Sequence, residues 1–219
     1  MSGVYLYALL GAPPAQTPGV GVCDEPLRLV DLGGPLALVG DVTTTLSPDP
    51  TTLTAQDALL RRLAPGVAAI LPARFGTLLA DDAALVQALA PRRSELTEAL
   101  ARVAGCEQMT LRVWGEHAAP AGDADDPGRG PGARYLAARR RARQVPEVEP
   151  LRVRLGTLVR GERTERHDRP PLLATVQHLI ARGESAHYLA AVDAAGPGLG
   201  PWRVTVTGPW LPYAFGEAA

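Results

Sequence analysis

The stretch Ile70-Leu71-Pro72-Ala73-Arg74-Phe75-Gly76-Thr77 constrains the fold more than any other part of the chain. An apolar run, residues 67–71, leads into it and starts just after Pro65-Gly66. The run is short and holds β-branched residues, which is the pattern of a buried strand. Pro72 has no N–H to give to a ladder, so it belongs at a strand end or a sheet edge. Arg74 carries a charge that cannot be switched off and must reach a carboxylate, a ring of carbonyls or water. Phe75 is one of only two Phe in the chain, and Gly76 permits a positive φ or a close backbone approach. A helical pattern starts near Asp81. The stretch therefore predicts a strand-to-helix junction, and on its own chemistry it is a structural corner.

The same alternation of strand and helix signals runs through the whole chain. Residues 4–10 are β-rich and stop at Gly11-Ala12-Pro13-Pro14. Residues 27–31 and 36–42 read as strands on either side of the turn Gly33-Gly34-Pro35. A helix is expected from Thr54, whose hydroxyl can cap, with Leu59, Leu60 and Leu63 inward. Asp81 caps the next, with Leu85, Val86 and Leu89 inward. Leu96, Leu100 and Val103 fall at i, i+4 and i+7 on one face of a third. From Gln108 to Trp114 the period changes to two: Met109, Leu111 and Val113 point one way, Thr110, Arg112 and Trp114 the other. Residues 117–132 read as a polar linker and residues 133–144 as a basic helix. Residues 151–160 have helical spacing, 172–180 read as a strand, 184–194 as a helix and 202–207 as a final strand. With one more edge strand, this second half is close to a ferredoxin-like α+β sandwich. The expected organisation is α+β in two domains, 1–104 and 105–219.

The side chains present exclude several chemistries. All 22 basic residues are Arg, so no Schiff-base, P-loop or general-base lysine exists. A net charge of −1 gives no reason to expect nucleic acid or an anionic membrane as partner. No apolar run reaches the roughly 18 residues of a membrane helix. Cys23 and Cys106 fit no metal or redox spacing and are expected as free thiols. Gly19-Val20-Gly21 lacks the third glycine of a dinucleotide fingerprint, and Pro26 breaks the helix it would need. His178 and His187 could face each other, but nothing completes a zinc site. His167-Asp168 lies in a charge run, residues 160–169, that reads as a solvated loop. Residues 129–154 hold eight Arg against Glu147 and Glu149, an excess of six. That patch could meet phosphates or an acidic surface, or simply stay solvated.

Several stretches together resemble the gas vesicle accessory proteins of the GvpL/GvpF family. They are Tyr5-Leu6-Tyr7, residues 70–77, residues 106–113, Gly132 to Arg140, and the tail Gly208 to Phe215. In that family the middle motif runs leucine-proline-x-arginine-phenylalanine-glycine-threonine, and the tail runs glycine-proline-tryptophan, proline-proline-tyrosine and a final phenylalanine. Leu211 and Ala214 depart from the tail pattern, and Gln56-Asp57 stands where a histidine is common. The resemblance covers nearly the whole chain. It implies two α+β domains, the second a modified ferredoxin-like fold, and a non-enzymatic cytoplasmic role in building the gas vesicle. It implies no cofactor or metal, and as partners the gas vesicle shell protein or other accessory proteins. The alternative is a ferredoxin-like ligand-binding module or small enzyme using His178 with His187. Arg74, Phe75, Tyr135, Arg139, Arg140, Trp210, Tyr213 and Phe215 fall in the matching stretches and are the candidate partner contacts. Arg74→Ala is expected to disturb folding more than binding. The tail is expected to close the second domain.

Overall fold

A computed structural model describes residues 3–44, 46–116, 132, 145–167 and 169–216. They form an α+β protein with two sheets. The chain divides into two compact units, one of Met1–Cys106 with Leu211–Ala219, the other of Glu107–Trp210. The boundary thus falls two residues beyond the expected one. The last stretch of chain, expected in the second domain, belongs to the first.

The first unit is built around β1 (Gly3–Leu10), an almost unbroken apolar run that is buried on both faces. On one side it pairs antiparallel with β3 (Leu36–Val42), which pairs in turn with β2 (Leu27–Asp31). On the other side it pairs with two short strands in succession, β4 (Ile70–Pro72) and β5 (Leu78–Leu79). The strand expected at residues 67–71 is therefore shorter and includes Pro72. That proline sits on the sheet's outer strand, where its missing N–H costs little. Helix α1 (Pro50–Leu63) starts one turn before the expected Thr54. Asp49 caps it, accepting from Thr52 N at 2.9 Å, and Pro50 fills the first turn. Thr54 lies inside the helix and donates to Pro50 O at 2.7 Å. α2 (Asp82–Leu89), capped by Asp81, leads through a 3₁₀ turn at Pro91 into α3 (Arg93–Val103).

The second unit runs β6 (Cys106–Trp114), α4 (Glu149–Leu155), β7 (Val159–Arg166), β8 (Leu172–Ala181), α5 (Ser185–Ala195) and β9 (Arg203–Trp210). The sheet order is β7-β8-β6-β9. A strand–helix–strand–strand–helix–strand chain with its first strand inside the sheet is the element order of a ferredoxin-like unit. Met109, Leu111 and Val113 are fully buried against Leu151 and Leu155 of α4 and Tyr188 of α5. The missing edge strand is β7, which occupies the charge run expected to be a solvated loop. The expected linker 117–132 and basic helix 133–144 lie outside the described residues, Gly132 excepted.

Candidate functional site

In the first unit the two motif regions, residues 70–77 and the tail, converge on one turn of α1. Tyr5 and Tyr7 stand two apart on β1, so both rings point to the same face. Their centroids are 4.8 Å apart, edge-on. Tyr5 Oη donates to Gln56 Oε1 at 2.7 Å and accepts from Gly76 N at 3.0 Å. Phe75 packs edge-on to Tyr5, at 6.2 Å between centroids. The next residue on α1, Asp57, accepts from Tyr213 Oη at 2.8 Å. Gln56 therefore holds Tyr5, which in turn holds the middle motif, and Asp57 holds the tail.

The middle motif is a turn looped out between two strands that share one edge of β1. Ala73 N donates to Tyr7 O and Leu6 N to Thr77 O, so the ladder closes above and below the loop. Thr77 N and Oγ1 both donate to Arg74 O, at 3.2 and 2.7 Å. Gly76 takes φ +84° at the third position of that turn, where a side chain would be strained. The tail's single helical turn, α6 (Tyr213–Gly216), packs on β4: a Cβ added to Gly216 would lie 3.4 Å from Pro72 O and 3.6 Å from Leu71 Cβ. Leu211 and Phe215 are buried, at 8% and 9% exposure. Burial pushes the Tyr213 phenol above its ordinary range, and the bond to Asp57 adds to the shift.

Tyr7 makes a second brace. Its Oη donates to Glu25 Oε1 and accepts from Val22 N at 3.0 Å, and Glu25 Oε2 accepts from Cys23 N at 2.8 Å. Burial pushes the Tyr7 phenol far above its usual range, so it stays a proton donor. Glu25 had not been singled out in the sequence. Two tyrosines on one buried face were the available signal, because each hydroxyl needs a partner there.

The expected contact residues separate into surface and support. The Arg74 side chain is exposed and makes no ion pair among the described residues. Of the three destinations open to its charge, Arg74 takes water: the turn uses the Arg74 carbonyl and leaves the guanidinium exposed. Phe75 is half-buried beside Tyr5, and Tyr213 is half-buried on Asp57. Trp210, at the end of β9 in the second unit, is 38% exposed. Tyr135, Arg139 and Arg140 lie outside the described residues.

The second unit holds a linked polar chain that runs from the core to the surface. His178 Nδ1 and Tyr188 Oη are 2.7 Å apart, and His178 Nε2 lies 3.1 Å from Glu162 Oε2. Arg152 clamps Glu162 through Nη2 and Nε, at 2.8 and 3.3 Å, and reaches Glu149 at 3.0 Å. The hydrogen bond from His178, followed by that from Arg152, holds the Glu162 carboxyl down at about 2. Burial keeps the Tyr188 phenol protonated. His178 is 1% exposed and Tyr188 fully buried, whereas Glu162 and Arg152 at the other end keep part of their side chains in water. His187 turns to solvent and bonds Glu184 at 2.8 Å, so it does not join His178. Among the described residues no cluster of His, Cys, Asp or Glu could hold a metal ion, and both cysteines are free thiols.

Residues 3–217 match the family described as gas vesicle synthesis protein GvpL/GvpF. The chain belongs to the GvpL/GvpF family. It is 26% identical over 253 aligned positions to gas vesicle protein L of Streptomyces sp. (strain CB03234), spanning 98% of this chain and 93% of that one. The crystal structure of GvpF from Anabaena sp. PCC7120 shares the fold at a TM-score of 0.73 and 16% identity, over 100% of this chain and 98% of that one. GvpF from Microcystis aeruginosa does so at 0.72 and 16%, over 99% of each chain. The GvpL/GvpF assignment gives the chain a gas vesicle role. In this GvpL/GvpF protein the stretches that carried the resemblance at residues 5–7, 70–77 and 211–215 are parts of one packed assembly in the first unit.

Proposed function

We propose that this protein is a non-enzymatic, cytoplasmic scaffold for gas vesicle assembly that binds the shell protein or other accessory proteins of the vesicle. The observation that carries the reading is the turn of residues 74–77. Two hydrogen bonds to Arg74 O and one from Gly76 N to Tyr5 Oη hold it, yet its guanidinium is left in water beside a half-buried phenylalanine. A held Arg next to an aromatic is the composition of a binding hot spot. Trp210 is a second contact point. Tyr213 and Phe215 act in support of the first unit and not as contacts. Work by binding also agrees with the burial of His178 and Tyr188. The alternative of a ligand module built on His178 with His187 loses its basis, since the two side chains face different surroundings.

Deleting the gene tests the role: loss of buoyant cells is expected, and normal floating vesicles in the deletant would overturn it. Arg74→Glu tests the surface. The protein should fold with an unchanged melting temperature, lose co-purification with its vesicle partner and fail to restore buoyancy. Full rescue by Arg74→Glu would remove Arg74 from the contact.

A further inference from the structure

We infer that the second unit carries a recognition groove for a proline-rich, extended peptide segment with a basic residue at one end. The groove, of about 790 Å³, opens where three strand ends meet. Gly115 and Glu116 follow β6, Pro170 and Pro171 precede β8, and Pro201 and Trp202 precede β9. Its volume lies in the usual range for ligand sites, about 300–1,000 Å³. Its walls are held by backbone bonds: Gly115 N donates to Pro171 O at 2.8 Å and Trp202 N to Leu199 O at 3.3 Å. Three prolines and an indole form a stiff apolar lining that loses little freedom when covered.

The indole supplies the polar handle. Gly115 leaves room for its pyrrole edge: a Cβ there would meet Trp202 Cδ1 at 2.9 Å and lie 3.8 Å from Nε1. Nε1 bonds no described residue, and among the described residues no buried side-chain nitrogen or oxygen lacks a partner. The N–H is therefore an unpaired donor that is not fully buried, on the Gly115 side of the groove. A polyproline II segment has no internal hydrogen bonds and offers all of its carbonyls. Grooves lined by aromatic residues take such segments at low entropic cost. Glu116, which is exposed, is the one charged side chain among the described lining residues, and it selects a segment flanked by Arg or Lys. A quaternary ammonium ligand fits less well. One aromatic face makes no cage, and the indole N–H would go unused. This inference concerns the second unit alone and does not depend on the role proposed for Arg74.

The test is titration of the full chain with two labelled peptides, decaproline and decaproline ending in two Arg, read by fluorescence anisotropy. Saturable one-to-one binding is expected, tighter for the Arg-bearing peptide by about two- to fivefold. Trp202→Phe keeps an aromatic ring, smaller than the indole, and removes the N–H, and should weaken both peptides about three- to tenfold. Glu116→Gln should abolish the preference for Arg and leave decaproline binding unchanged. Both variants are conservative, so the test does not rest on Trp202→Ala, which would also remove packing against the core. Absence of saturation at millimolar peptide overturns the inference. So does equal binding by wild type and Trp202→Phe, or displacement of the peptide by tetramethylammonium at lower concentration than by unlabelled decaproline.

Discussion

Tyr5 carries a hydroxyl into the core of the first unit and uses it twice, as donor to Gln56 and as acceptor from Gly76. Tyr5→Phe keeps the ring but strands both partners, and leaving buried polar groups unpaired costs about 1–3 kcal/mol. Urea unfolding should show a lower midpoint with an unchanged slope; an unchanged midpoint would mean that water replaces the hydroxyl. Glu162 supports a pH statement. Its carboxyl lies at about 2 in the folded chain against an ordinary 4.5, so the unfolded chain takes up a proton first as pH falls. The contribution is present above about pH 4.5 and is lost as pH falls from there to 2. Solvent screening reduces it to about 1–2 kcal/mol. The stability gap between wild type and Glu162→Gln should shrink by roughly half of that amount or a little more between pH 6 and pH 3, and a constant gap would refute the linkage. At this scale residue environments were only partly legible. The apolar run of residues 4–10 marks Tyr5 as part of a strand, but a hydroxyl partner 51 residues away leaves no periodic trace. At Arg74 the sequence leaves carboxylate, carbonyls and water all open, because the backbone carbonyl, and not the charge, makes the junction.

The β7 strand shows why some elements escape a pattern reading. Residues 27–31 and 36–42 were found with their observed limits, because apolar side chains mark them. In β7 both faces are polar, so the period of two is hidden. The strand lies at the sheet edge, where charges are tolerated and discourage pairing with other chains. Its charges are also used: Glu162 meets Arg152 and His178, and Arg166 reaches the buried Glu147 with two bonds of 3.2 Å. Glu147 has a side chain only 5% exposed. Removing its partner by Arg166→Ala leaves a buried charge, which costs about 3–5 kcal/mol. Arg92→Ala, which breaks the exposed pair with Glu95, should cost about 0–1 kcal/mol. Thermal melts of the two variants side by side decide it; equal shifts would show that Glu147 finds water or takes a proton. The start of α1 was missed for a related reason. Thr54 and Asp49 both have capping side chains, and only Pro50 at the first helical position separates them.

Across the whole chain, the second unit is an excursion from the first. The chain leaves after Cys106 and comes back at Leu211. The two ends of the excursion are neighbours, because Gln108 and Trp210 are register partners in β6 and β9. The sequence alternation revealed two α+β bodies but could not reveal this return. A tail of aromatics suits either core, and only its contacts assign it. They assign it to the first: Leu211 lies in the cluster of Tyr5, Leu60 and Ile70, and Tyr213 bonds Asp57. Among the described residues, the core of the second unit contains none from the tail. Ending the chain after Trp210 should therefore weaken the unit that lies earlier in sequence. Loss of the buried Leu211 and Phe215 side chains removes about 3–6 kcal/mol of burial, at 1.5–3 kcal/mol each. That is a large share of the roughly 5–15 kcal/mol that holds an ordinary domain. Hydrogen exchange should speed up in β1, β4 and α1 while β6, β8 and β9 keep their protection. Equal loss in both units would show that they unfold as one body. Loss confined to β6, β8 and β9 would return the tail to the second unit.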